Sequence, residues 1–326
     1  MRLNDLFCDN VVFQANKPIR IFGTGGGEVE VELCGNRVKE LSVGTDWQVE
    51  LPPMPYGGPY ELAVSLDGKK QTLQNVYIGD VYILGGQSNM QFKLGMSDYN
   101  TELCKNDSML RLFSTERVEK GESFFPQDGW VMADTANAAN WSCLGYLVGK
   151  ELREKNGYAV GLITCYQGAA KIQCFLPKEA FEDSAINIPQ EDRYDSQYPW
   201  NRVDSLLYDF QVKKIAPFSV AGVIWYQGES NSSDKESEIY GKMLSALIYH
   251  WRAAFKDEDL PFTVIQLADY IYANKEAWRK IQQAQYEIQF SEKNVKTVIC
   301  RDICESNDIH PKQKSELAKR IAYTLS

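Results

Sequence analysis

Histidine is almost absent: His250 and His310 are the only two in 326 residues. The eight cysteines (Cys8, Cys34, Cys104, Cys143, Cys165, Cys174, Cys300, Cys304) form no C-x-x-C pair. With so few imidazoles to complete a ligand set, no metal site and no cofactor are expected. Long apolar runs are lacking as well. The longest, around Phe218 to Tyr226, is about half of what a bilayer span requires, so membrane association is not expected. Basic residues are in deficit, 35 against 44 acidic ones, leaving a formal charge of −9. That balance repels a phosphate backbone, so nucleic acid is not expected as a partner. The N-terminus has no unbroken apolar stretch, because Asp5 and Asp9 interrupt it. No signal peptide is predicted, and the chain is expected in the cytoplasm with its thiols reduced; a chain from which a leader had been cut would instead be secreted, with cysteines free to pair. Cys165 and Cys300, inside apolar runs, read as small buried hydrophobes.

What is present suits a folded chain of two domains: 44% hydrophobic and 24% charged residues are near the averages for globular proteins. Between residues 11 and 75 lie short β-type segments, among them Val29–Leu33, Trp47–Leu51 and Tyr60–Val64, several alternating apolar with polar. Gly25-Gly26-Gly27, Pro52-Pro53 and Gly57-Gly58-Pro59 punctuate them. This is the pattern of a small antiparallel sandwich, predicted over residues 1–75. From residue 76 to 326 the texture changes to near-continuous apolar strand candidates at 81–84, 160–164, 220–225, 262–265 and 295–299. Helical stretches separate them, with apolar faces such as Leu144, Leu147, Val148, Leu152 and Tyr240, Leu244, Leu247, Trp251, Phe255. Strand alternating with helix predicts an α/β domain around a parallel sheet. Residues 182 to 202, polar with Pro189 and Pro199, read as a long loop able to border a site.

Ligands of open parallel sheets gather at the carboxyl ends of the strands, so the residues following each strand are the candidates. The first strand runs into Gly86-Gln87-Ser88-Asn89-Met90, the second into Gln167-Gly168, the third into Gln227-Gly228-Glu229-Ser230-Asn231. Near the C-terminus stands Asp308-Ile309-His310-Pro311. Ser88 on a glycine-rich strand-to-helix turn is placed as a nucleophile would be; a serine N-cap is the competing reading. A serine needs a base near neutrality, and of the two histidines His310 is the better placed. It precedes Pro311, the favoured first residue of a helix, whereas His250 lies mid-helix.

Gly86–Met90, Trp225–Asn231 and Asp308–Pro311, in this order and spacing, resemble the sialate O-acetylesterase family of the SGNH (GDSL-like) hydrolase superfamily, and the likeness extends upstream through Val12-Phe13-Gln14 and Val76–Tyr82. The resemblance implies a three-layer α/β/α SGNH-type domain after the β domain, and hydrolysis of O-acetyl esters on a carbohydrate without metal or cofactor. It places the nucleophile at Ser88 and the base at His310. Oxyanion donors fall on the Ser88 and Gly168 N–H groups and the Gln227 side chain. The acid falls on Asp308 rather than Asn307; a backbone carbonyl or Glu229 orienting His310 is the alternative. Gln87, Asn89, Glu229 and Asn231 are candidates to contact substrate, and Lys171 to offer a cation to the carboxylate of a sialic acid. Departures lie at Gln167-Gly168-Ala169 and Gln282-Gln283-Ala284-Gln285, where the family usually carries other residues. The expected substrate is O-acetylated sialic acid, as a small molecule or oligosaccharide. Acetylated xylan or related plant oligosaccharides, or a carbohydrate-binding protein that kept the fold without catalysis, are the rivals.

Overall fold

The computed structural model describes residues 1–115, 129–182 and 203–325; the loop expected over 182–202 lies, apart from Glu182, outside them. The first part is all β: β1 (Arg2–Leu3), β2 (Val12–Gln14), β3 (Ile19–Thr24), β4 (Gly27–Leu33), β5 (Asn36–Ser42), β6 (Asp46–Leu51) and β7 (Gly57–Leu66). One sheet runs β1-β3-β6; β4, β5 and β7 form an antiparallel ladder that continues onto β8 (Lys69–Gly86). Alternation places Val29, Val31, Leu33, Val49 and Leu51 in the core, as the period of two predicts. The polar edge strand β5 carries too little apolar pattern to be read from sequence.

β8 is a single strand of 18 residues, and the expected boundary at 75/76 falls within it. Its first half pairs with β7, its second half with β11 and β12, so one strand passes from the small unit into the large one. The large unit adds α1 (Ser88–Gln91), β9 (Asp107–Phe113), β10 (Trp130–Ala133), α2 (Cys143–Asn156), β11 (Val160–Tyr166), α3 (Glu179–Glu182), α4 (Lys213–Ile215) and β12 (Gly222–Tyr226). It continues through α5 (Asp234–Ala254), β13 (Phe262–Ile265), α6 (Lys275–Ser291), β14 (Val295–Val298) and α7 (Ser315–Thr324). Strand order is β10-β9-β11-β8-β12-β13-β14, parallel throughout except for β10, which pairs antiparallel with β9. β9 and β10 were not legible as strands: β9 carries the fully buried Arg111, which breaks the apolar run. Its guanidinium donates to the carbonyls of Asn10 and Asn75, both 2.7 Å, and lies over Tyr77.

α2 packs on α7 and α5 on α6, giving the two helical layers about the sheet. The apolar faces read from α2 and α5 are buried as expected, and Cys165 and Cys300 are fully buried. Among the described residues no helix is long and apolar enough to cross a membrane. One expectation fails: the last helix begins at Ser315, not beside Pro311. The Lys312 N–H is held on the Glu305 carboxylate and its carbonyl on the Asp98 N–H, so Pro311 and Lys312 belong to the loop that precedes the helix.

Candidate active site

Three strand ends are laced together at Ser88. The Gln87 N–H donates to the Tyr226 carbonyl (3.0 Å), and the Gln167 N–H donates to the Gly86 carbonyl (3.1 Å). Ser88 opens α1 as its first helical residue; Gln87 holds the cap position, so the N-cap reading of the serine does not apply. As the first residue of a helix it has an N–H without an intrahelical acceptor, and it is half-buried. The Gln87 side chain fastens the β12 loop instead of facing outward: its Oε1 accepts from the N–H groups of Ser230 (3.2 Å) and Gly228 (3.4 Å), and its Nε2 donates to Ser230 Oγ (3.2 Å).

The expected oxyanion donors fare differently. The Gly168 N–H donates to Gln91 Oε1, on the helix that Ser88 opens, at 2.6 Å. Gln227 is fully buried, and its Nε2 lies within hydrogen-bond distance of Asn231 Oδ1 (2.7 Å), Gln87 Oε1 and the Ala170 carbonyl (both 3.1 Å). Two N–H bonds cannot serve these three acceptors and an oxyanion as well, so the side chain is a brace between loops rather than a free donor. Tyr240 Oη donates to its Oε1 (3.0 Å), and Gln285 Nε2 to its carbonyl (2.8 Å). Asn231 is likewise enclosed, accepting from the Ile172 N–H (3.0 Å) and donating to Gln173 (2.7 Å). The cation expected of Lys171 is not presented: its ammonium is buried on both oxygens of Glu236, at 2.9 and 2.8 Å.

At the C-terminal end of the sheet, the loop after β14 brings His310 beside Phe92, the rings 6.1 Å apart and 21° from parallel. Asp308 Oδ1 accepts from the His310 backbone N–H at 2.8 Å, closing a turn. Burial lowers the His310 pKa, the Asp308 charge opposes this, and Lys314 lowers it further. The Ser88 helix and this loop are joined directly: Asn89 Nδ2 donates to the carbonyl of Ile309 (2.8 Å) and to Glu229 Oε1 (2.6 Å). Glu229 is buried, and loss of hydration pushes its pKa up to about 7, against the hydrogen bond from Asn89. His250 lies on α5, among the helices rather than at the strand ends.

Sequence reasoning missed Gln91, Glu236, Tyr240, Gln285 and Lys314. For Lys314 the signal was present: with Leu317, Ala318 and Ile321 it shares one face at i, i+3, i+4, i+7 spacing, a lysine where an apolar residue belongs.

A serine on the turn after the central strand, with a histidine loop after the last, is the arrangement of an SGNH-type carbohydrate esterase. The model of the family described as "Carbohydrate esterase, sialic acid-specific acetylesterase" matches residues 78–325. The chain belongs to that family. A carbohydrate acetylesterase from Xanthomonas citri superposes with a TM-score of 0.85 at 30% identity, covering 98% of this chain and 73% of the other. Sialate O-acetylesterase of Rattus norvegicus is 25% identical over 97% of this chain and 71% of its own length. An Arabidopsis thaliana protein, 18% identical with a TM-score of 0.54 over 76% of this chain and 97% of its own, shares the fold.

Proposed function

We propose that this protein removes O-acetyl groups from carbohydrates by a serine mechanism, and that O-acetylated sialic acid is its substrate. The observation that carries the reading is the Asn89–Ile309 hydrogen bond, which ties the residue after Ser88 to the residue before His310. His310 takes the proton of Ser88 Oγ as the oxygen attacks the acetyl carbonyl, then returns it to the departing sugar hydroxyl. Water hydrolyses the resulting acetyl-serine by the same route in reverse roles. The Ser88 N–H receives the developing oxyanion, and the Gly168 N–H joins it once the oxyanion displaces Gln91 Oε1, which accepts from it at 2.6 Å. The substrate assignment rests on the family and on the rat relative. Turnover of p-nitrophenyl acetate by the wild type and by Ser88→Ala separates catalysis from simple sugar binding. Acetate release from O-acetylated sialic acid against acetylated xylo-oligosaccharide tests the substrate: faster release from the xylo-oligosaccharide overturns the sialate assignment.

Two further outcomes follow from the charges. Asp308→Asn keeps an oxygen to accept the His310 N–H and so keeps the turn, but removes the charge that favours the imidazolium. A fall in kcat of about 10²-fold or more is expected at an almost unchanged melting temperature. A lower melting temperature with normal turnover would confine Asp308 to the turn. The second concerns Glu229, whose pKa in the fold, about 7, lies above that of the unfolded chain. Its native state binds the proton more tightly, so this contribution is fully present below about pH 4.5 and is lost as pH rises through 7. Between pH 5 and 8 the wild type should therefore lose more melting temperature than Glu229→Gln, and parallel melting curves would contradict the shift.

A further inference from the structure

Asn89 is the meeting point of three elements, and one of its partners has no part in the mechanism above. Its Nδ2 serves Ile309 and Glu229, while its Oδ1 accepts from Lys314 Nζ at 3.0 Å. Lys314 is 0% exposed. Its ammonium stands over the faces of Phe92 and Tyr226, 5.2 and 5.6 Å from the ring centres. Burying a cation is unfavourable unless charge and dipoles compensate it; here two ring faces, an amide oxygen and the Glu229 carboxylate beyond it do so. An ammonium has donors only, so the atom of Asn89 that faces it must be oxygen. The amide is thereby held with nitrogen toward the Ile309 carbonyl. Turned over, it would set nitrogen against the ammonium and oxygen against both the carboxylate and the carbonyl.

We propose that Lys314 is a positioning residue of this site: through Asn89 it clamps the loop that carries His310 onto the helix that carries Ser88. The inference deepens the esterase reading and rests on it for the roles of Ser88 and His310. A methionine would fill the same volume, but it could neither hold the Asn89 oxygen nor present a charge to the imidazole. Among the described residues the titratable groups facing Lys314 are Glu229, Tyr226, Cys143, Cys300, Cys304 and His310, and those facing His310 are Asp308 and Lys314 itself.

The test compares wild type, Lys314→Met and Asn89→Ala by ester hydrolysis and by proton NMR of the imidazoles, with His250→Ala used to assign the two signals. In Lys314→Met, kcat should fall about 10²-fold with KM changed little, as expected when a base shifts by about 1 Å. The His310 pKa should rise as the neighbouring positive charge disappears, and the ring resonances should lose the shift imposed by Phe92. The rise in pKa follows from the lost charge alone; the loss of the Phe92 ring shift is what removing a lysine that only fills space would not produce. Near-normal kcat, or unshifted His310 ring resonances, in folded Lys314→Met overturns the clamp. Should that variant fail to fold, Asn89→Ala decides: it leaves Lys314 and Glu229 free to approach each other, and should show the same loss of kcat and the same change in the His310 ring resonances. Near-normal turnover or unshifted resonances there overturn the clamp as well. A wild type inactive on every acetyl ester defeats the esterase reading, while the imidazole spectra still report on the clamp.

Discussion

Ser88→Ala and His310→Ala should each lower ester hydrolysis by about 10⁴-fold or more, and the double variant should be little worse than either single one. Nucleophile and base act in one proton transfer, so once either is gone the other has nothing left to contribute. The fold should survive both changes: Ser88 and His310 are each only half-buried, and the bonds that hold their segments come from Gln87, Asn89 and Asp308 rather than from their own side chains. His250→Ala is the control, since it removes the other imidazole from α5. A larger loss from His250→Ala than from His310→Ala would move the base to α5. Because burial keeps His310 neutral to lower pH than an ordinary imidazole, the acid limb of kcat/KM should fall below pH 6.5.

Sequence patterning located β11, β12 and β13 and the second half of β8 well because each is an apolar run buried on both faces, as in β12, where all five residues are buried. It located the strand-end motifs because a parallel sheet dictates where ligands gather. It failed where a polar side chain looks inward. Arg111 hid β9, and Lys314 passed as one more polar residue ahead of α7. Gln227, Asn231 and Lys171 sit at the right strand ends, and nothing in their spacing tells a donor aimed at substrate from a brace between loops. That distinction depends on partners such as Tyr240, Gln285 and Glu236, which come from α5 and α6, 13, 58 and 65 positions away from the residues they hold. Polar residues near a site are read from sequence as substrate contacts, yet burial obliges most of them to satisfy one another first. Here that produces a continuous polar chain: Gln87 to Gln227, Gln227 to Asn231, Asn231 to Gln173, Gln173 to Glu236, and Glu236 to Lys171. What remains exposed to a ligand is correspondingly small.

Gly86→Ala should be the most damaging single methyl group that can be added near Ser88. Gly86 has φ of +134°, a region open to glycine and strained for every L side chain. A Cβ there would also overlap the backbone carbonyl of Tyr226, its partner in the β8–β12 ladder. That carbonyl cannot retreat cheaply, since it accepts the Gln87 N–H and Tyr226 is fully buried. Strain and overlap together should cost about 4 kcal/mol or more, a large share of the roughly 5–15 kcal/mol that keeps a domain folded. Gly157→Ala separates the two terms. Gly157 has φ of +77° at the end of α2, but nothing lies within 4 Å of an added Cβ, so only the left-handed conformation is penalised, at about 1–2 kcal/mol. Denaturant unfolding of both variants measures the difference. In Gly86→Ala that still folds, turnover should fall too, because relief of the overlap moves Gln87 and Ser88 away from the β12 loop. Equal losses of stability in the two variants would mean that β8 and β12 can separate at this point, and that the turn presenting Ser88 is held by its side chains rather than by the close approach of the two strands.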